Sequence, residues 1–283
     1  MLHKRHVGRW ACTATVVASL TAGPLASLAA TRAEAVLAGP AAAPTVVYDF
    51  DAPGGDLLAP GSDADLRVLV LGDLAAADRV AVIVPGVGHN ADEFNDPEPE
   101  PDSMIGRAQA LFAAGAEAGA GSRLAVIAFL GYSPPKSVDA LAAAGIREGA
   151  ANLAALQRGL ARAFPETQVT WACHSFGSLI CASGLVDVSP DALVFLGSPG
   201  VMVDSAASLP TTAPVFAARG PADLIVLTGL LGGLGGGYGP DPASDAFGAT
   251  VLPADPGAGH SDYFAPGSTQ LTALVNVVMA DYR

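Results

Sequence analysis

One stretch leaves this chain few folds to adopt. The β-prone run Val169-Thr170-Trp171-Ala172-Cys173 passes through His174-Ser175-Phe176-Gly177 straight into the helix-prone run Ser178-Leu179-Ile180. Cys-His-Ser-x-Gly between a strand and a helix is the pattern of a nucleophile elbow, a sharp turn that holds a serine in a strained backbone conformation at the top of a parallel sheet. The serine Oγ is then exposed, and the next amide, that of Phe176, points towards a reacting carbonyl. Strand and helix pass close together in such a turn, so its flanks call for small residues. Gly177 meets that need. Cys173 stands where the first glycine of Gly-x-Ser-x-Gly is usual, and fits it less well.

The rest of the chain supplies a frame for the turn. Residues 46–48 and 67–71 read as early strands. Residues 79–84 and 124–129 are near-continuous apolar runs, the mark of strands buried on both faces. Residues 192–196, 214–218 and 250–252 complete the set. Between them the spacing predicts helices over about 103–118 and 139–164. The second carries Ile146, Leu153, Leu156, Leu160 and Phe164 on one stripe, with Arg147, Arg158 and Arg162 off it, and Pro165 ends it. Leu271, Leu274, Val275, Val278, Met279 and Tyr282 stripe a C-terminal helix with Ser268 or Thr269 as N-cap. Strands alternating with helices predict an α/β fold, a doubly wound, mostly parallel sheet flanked by helices on both faces. Chemistry in such sheets sits at the carboxyl ends of the strands. Pro85-Gly86-Val87, Ser175, Asp223 and His260 each follow a predicted strand, so they are expected at one edge.

On these residues the chain resembles an α/β-hydrolase. Ser175, Asp223 and His260 occur in the Ser…Asp…His order of that fold. The segments around Gly220-Pro221-Ala222-Asp223 and Gly257-Ala258-Gly259-His260 are similar to the loops that supply its acid and its histidine. More narrowly, the chain resembles a bacterial exported α/β-hydrolase family of unassigned substrate. The resemblance rests on Val84-Pro85-Gly86-Val87-Gly88, Leu130-Gly131-Tyr132, Cys173-His174-Ser175-Phe176-Gly177-Ser178, Leu196-Gly197-Ser198-Pro199-Gly200, Tyr238-Gly239-Pro240-Asp241-Pro242 and Gly259-His260-Ser261-Asp262-Tyr263-Phe264. It covers about residues 65–283 and names no substrate.

Serine is a weak nucleophile at neutral pH and needs an adjacent base. Beyond residue 35 the histidines are His89, His174 and His260. His174 adjoins the nucleophile in sequence, which aims its side chain away from the Oγ, and His89 lies past a glycine turn. His260 is the base this leaves. A carboxylate must orient it; Asp223 is best placed, with Asp262, Asp241 and Asp245 as rivals. The oxyanion needs two preorganised donors, and the amides of Phe176 and Val87 are the candidates. The expected activity is serine hydrolysis of a carboxylic ester or thioester through a Ser-His-Asp triad and an acyl-enzyme. A peptidase or amidase with the same triad and a non-catalytic binding protein on the same fold are the alternatives. No cofactor is expected. No His-x-x-x-His or Cys-x-x-Cys occurs, and the Asp92/Glu93 and Glu98/Glu100 pairs read as a solvated loop rather than a metal site.

Charge bounds the partners. The chain of 283 residues has a net charge of −13, which argues against a nucleic-acid binder; the partner expected from the triad is a small-molecule acyl substrate. Residues 1–35 read as a signal peptide: Lys4, Arg5 and Arg9 precede an apolar stretch over 10–22, and Ala33-Glu34-Ala35 offers a cleavage site, with an earlier one within 26–30. Their removal leaves a net charge of −16, so no stable membrane association is expected of the secreted product. Residues 36–64 read as a loose lead-in and 65–283 as the hydrolase domain. Cys173 and Cys181, one ending a strand and the other in the next helix, are expected to point apart as two separate buried thiols. The acidic loop 91–102 and the glycine-rich loop 229–239 are the expected rims of the site. Only 17 residues separate Leu196 from Pro214, where this fold often inserts a lid, so an open or modestly covered site is expected.

Overall fold

A computed structural model describes residues 42–51, 55–59, 62–133, 143–186, 188–225 and 238–283. The signal-peptide reading of residues 1–35 and most of the glycine-rich loop 229–239 lie outside the described residues.

Among the described residues seven strands form one sheet: β1 (Arg67–Leu71), β2 (Arg79–Val84), β3 (Leu124–Leu130), β4 (Gln168–His174), β5 (Ala192–Leu196), β6 (Val215–Ala218) and β7 (Thr250–Val251). Their order is β1-β3-β2-β4-β5-β6-β7, with β1 antiparallel to β3 and every other pair parallel. The order follows from burial. Every residue of β2, β3, β4 and β5 is buried, and these strands occupy the middle; half-buried β1 and exposed β7 take the edges. Val82 pairs with Ile127 on one side and Trp171 on the other, and Trp171 pairs with Leu193.

Helices α1 (Met104–Glu117), α2 (Ala143–Ala163), α3 (Gly177–Gly184) and α4 (Thr269–Met279) cover the two faces. The period-2 alternation of the strands sorts the core into two layers. Val80, Val82, Val84, Trp171 and Cys173 face α2 and α3, through Ile146, Leu153, Leu156, Leu160 and Leu179. Ala81, Ile83 and Ala172 face α1 and α4, through Met104, Leu111, Leu271, Leu274, Val275 and Val278. Ser103 caps α1 by accepting from the Gly106 amide at 3.1 Å, and Ser268 caps α4 by accepting from that of Leu271 at 3.2 Å. Each oxygen satisfies an amide the first helical turn leaves open.

Two expectations change. Residues 46–48 add no strand to the sheet; Tyr48 makes one isolated bridge to Leu58, and Val47 is exposed. That lead-in is held by α2 instead. Asn152 accepts from the Thr45 amide through Oδ1 at 2.7 Å, and its carbonyl accepts from the Tyr48 hydroxyl at 2.9 Å. Cys173 and Cys181 are not separate thiols but a disulfide, with Cα atoms 6.4 Å apart. The turn at Ser175 folds α3 back over β4, so both side chains enter the same core layer, within the reach of a bridge.

Candidate active site

The sheet changes direction of winding between β2 and β4, since β2 is followed in space by β3 on one side and β4 lies on the other. The loops leaving these two strands part there and open a crevice at their carboxyl ends. The cavity in this place measures about 410 Å³ and is lined by Gly86 and Val87 after β2, His174 and Ser175 at the end of β4, and His260.

Ser175 sits in the left-handed region with φ of 54°, a conformation that costs a side-chain-bearing residue energy and that the turn enforces. Its amide donates to the Leu196 carbonyl at 2.9 Å, which ties the turn to the end of β5. Gly177 makes the close passage possible: a Cβ there would lie 2.4 Å from the carbonyl oxygens of both Val84 and Pro85. The Pro85 carbonyl also accepts from the buried Tyr132 hydroxyl at 2.6 Å, so the end of β3 pins the turn that presents Val87.

Three side chains from three loops meet here. Ser175 Oγ lies 2.9 Å from His260 Nε2, and His260 Nδ1 lies 3.0 Å from both carboxylate oxygens of Asp223. The loops of Asp223 and His260 are joined directly, by the Ala222 amide donating to the Ala258 carbonyl at 3.0 Å. Asp223 is 1% exposed and also accepts from the Tyr263 hydroxyl at 2.5 Å and the Ile225 amide at 2.9 Å. Burial alone would raise its pKa. The hydrogen bonds from His260 and Tyr263, with the charge of His260, more than offset this and hold it below the ordinary carboxylate value. Burial and the bond to Asp223 push the Tyr263 phenol well above its ordinary value, so it remains a donor.

The rival carboxylates are occupied or remote. Asp241 pairs with Arg219 at 2.5 Å, Asp262 accepts from the Gly259 amide at 2.7 Å, and Asp245 is exposed. His89 Nδ1 lies 2.9 Å from Glu93, which also caps the Met104 amide at 2.9 Å. His174 is buried, and its two ring nitrogens bond elsewhere than to the Ser175 Oγ: it joins Arg107 to the His260 carbonyl at 2.9 and 2.8 Å. Arg107 and Tyr263 escaped the sequence reading as site residues. The only local signal was the place of Tyr263 beside His260 in one matched segment. Among the described residues no group of three or more His, Cys, Asp or Glu is arranged to hold a metal ion.

An alpha/beta hydrolase family model matches residues 61–232, more than half of the chain. The chain belongs to the alpha/beta hydrolases. Its similarity to solved structures of this fold is distant. A carboxylesterase from Mesorhizobium loti is 14% identical, with 76% of this chain and 95% of that one covered, at a TM-score of 0.46. An alpha-beta serine hydrolase homologue from Coxiella burnetii is 17% identical over 75% of this chain and 89% of that one, at 0.41. A lidless a/b serine hydrolase from Xanthomonas campestris is 16% identical over 75% and 86%, at 0.43. No curated protein matches the chain in sequence.

Proposed function

We propose that this hydrolase cleaves a carboxylic ester or thioester through an acyl-enzyme on Ser175. The observation that carries the reading is the unbroken line from the Ser175 Oγ through His260 to Asp223, at 2.9 and 3.0 Å. His260 Nε2 takes the Oγ proton as the oxygen attacks the carbonyl carbon. Asp223, ionised and buried, keeps the other ring proton on Nδ1 and stabilises the imidazolium. The Phe176 and Val87 amides receive the developing oxyanion. The tetrahedral adduct collapses, His260 returns the proton to the leaving alcohol or thiol, and the ester carbon stays on Ser175. Water, deprotonated by the same histidine, then releases the acid and restores the serine.

The cavity, at about 410 Å³, supports a small substrate. Among the described lining residues Val87 is the one large apolar side chain, and Glu93, Asp96, Glu100 and Asp102 edge the opening. Long acyl chains find little apolar surface there, and anionic ones meet like charge. The reading therefore takes short, neutral or cationic esters. Export to an oxidising compartment is part of the proposal; the Cys173–Cys181 disulfide supports it.

The test is intact-mass analysis after incubation with a fluorophosphonate, beside a panel of ester chain lengths, thioesters and amides. One adduct on Ser175, lost in Ser175→Ala, with acetyl and butyryl esters cleaved faster than palmitoyl, is the expected result. Folded protein that takes up no label and cleaves nothing in the panel would leave a binding protein on a hydrolase fold.

A further inference from the structure

His174 ends β4, and the alternation of the strand sends its side chain to the opposite layer from Cys173. There it meets Arg107 of α1. Arg107 is 3% exposed, with its guanidinium carbon 5.7 Å from the centre of the Phe264 ring, and it takes part in no ion pair among the described residues. Its Nη1 lies 2.9 Å from His174 Nδ1. Guanidinium nitrogens only donate. Burial lowers the Arg107 pKa, opposed by Asp102 and Glu93, to about 10, so the group stays charged at neutral pH. His174 Nδ1 must therefore accept, and the imidazole proton sits on Nε2. From there it donates to the His260 carbonyl at 2.8 Å. The two imidazole rings also pack with centroids 4.7 Å apart, and the Tyr263 ring lies 5.6 Å from that of His174.

We propose that His174, locked by Arg107 in the Nε2–H tautomer, is a positioning residue that holds the main chain of His260 so that its ring lies between Asp223 and Ser175. The role of His260 as base rests on the function proposed above; the placement of its ring does not. The arrangement needs a second imidazole beside the first that does not compete for charge. Arg107, His260 and His89 are the cationic or titratable groups acting on His174, and with its burial they hold its pKa well below the ordinary histidine value. The imidazole thus stays neutral and keeps its tautomer while His260 cycles its proton.

Two polar replacements separate positioning from simple packing. His174→Gln places an amide N–H about where Nε2 stood and can reach the His260 carbonyl. His174→Asn ends one methylene short and takes the imidazole donor away from that part-buried carbonyl. With Asn, kcat for a short ester and the rate of fluorophosphonate labelling should fall on the order of 10²-fold, the loss expected from a displacement of about 1 Å, with KM within about twofold of wild type. Gln should recover most of that loss. A general loss of packing would instead lower thermal stability equally in both and show no rescue. Long-range proton–nitrogen NMR of histidine-labelled protein should find His174 neutral with its proton on Nε2, and the His260 ring signals should be kept in Gln and displaced in Asn. The NMR comparison decides the placement even in a protein that turns over nothing, which would retire the hydrolase reading separately. A His174 protonated on Nδ1, or an Asn variant with wild-type kcat and unmoved His260 signals, would overturn the proposal.

Discussion

Replacing Gly197 by alanine places a methyl group against the Asp223–His260 pair. Gly197 follows β5 with φ of 55°, and a Cβ there would lie 2.6 Å from Asp223 Oδ2, 2.7 Å from Tyr263 Cε2 and 3.1 Å from His260 Nδ1. Two costs arise. The left-handed backbone costs an alanine about 1–2 kcal/mol, which in a domain of this size lowers Tm by a few degrees and leaves it folded. The contact is the larger functional effect. Carbon contacts settle at roughly 3.5–4.0 Å, so the carboxylate or the ring must retreat by on the order of 1 Å. Asp223 is held by His260, Tyr263 and the Ile225 amide, so it cannot move without loosening one of them. A displacement of that size at the base should lower kcat by about 10²-fold. Gly248→Ala is the control: its φ is 83°, but nothing lies within 4 Å of the added carbon. It should lose the backbone cost alone and no activity. The assay is kcat for a short ester and the rate of fluorophosphonate labelling, with urea unfolding run beside them. If Gly197→Ala keeps wild-type kcat while losing the expected stability, Asp223 does not orient the base and the mechanism is wrong.

The disulfide closes a loop across the turn itself. For a sequence separation of 8, the chain-entropy model gives about 2.5 kcal/mol at 25 °C. Cys173→Ala/Cys181→Ala should therefore unfold at lower urea while the folded fraction still labels at Ser175; equal stability of the oxidised and reduced wild type would contradict this. Asp223 sets an acid limb of stability. Its folded-state pKa is depressed, so its contribution is present above the unfolded value of ~3.9 and is lost as pH falls through the folded value. Tyr263→Phe removes one donor and raises that folded value. The destabilisation it causes, followed by circular dichroism, should shrink as pH falls from about 5 towards 2; a pH-independent difference would show that the phenol does not stabilise the charge.

The architecture was legible because its signals are local. A strand buried on both faces is apolar over nearly its whole length, and residues 80–84 and 124–129 were recognisable for that reason. The elbow announced itself because a sharp strand-to-helix turn needs Gly177 beside Val84 and Pro85. Residues 46–48 misled because β-prone residues also suit a segment that α2 holds by side-chain bonds. The disulfide was missed because its distance depends on how far α3 folds back over β4, an angle that spacing does not carry.

By itself, then, the sequence determined the order of strands and helices, the parallel sheet, and a serine, a histidine and a set of candidate carboxylates at strand ends. Only the tertiary structure decided which groups meet. It chose Asp223 over Asp241, Asp245 and Asp262, and it brought Arg107 to His174 and Tyr263 to Asp223. Those contacts join residues 67, 37 and 40 positions apart in the chain. Local periodicity records which face a residue buries; the partner it finds there depends on how the loops converge at the carboxyl edge of the sheet.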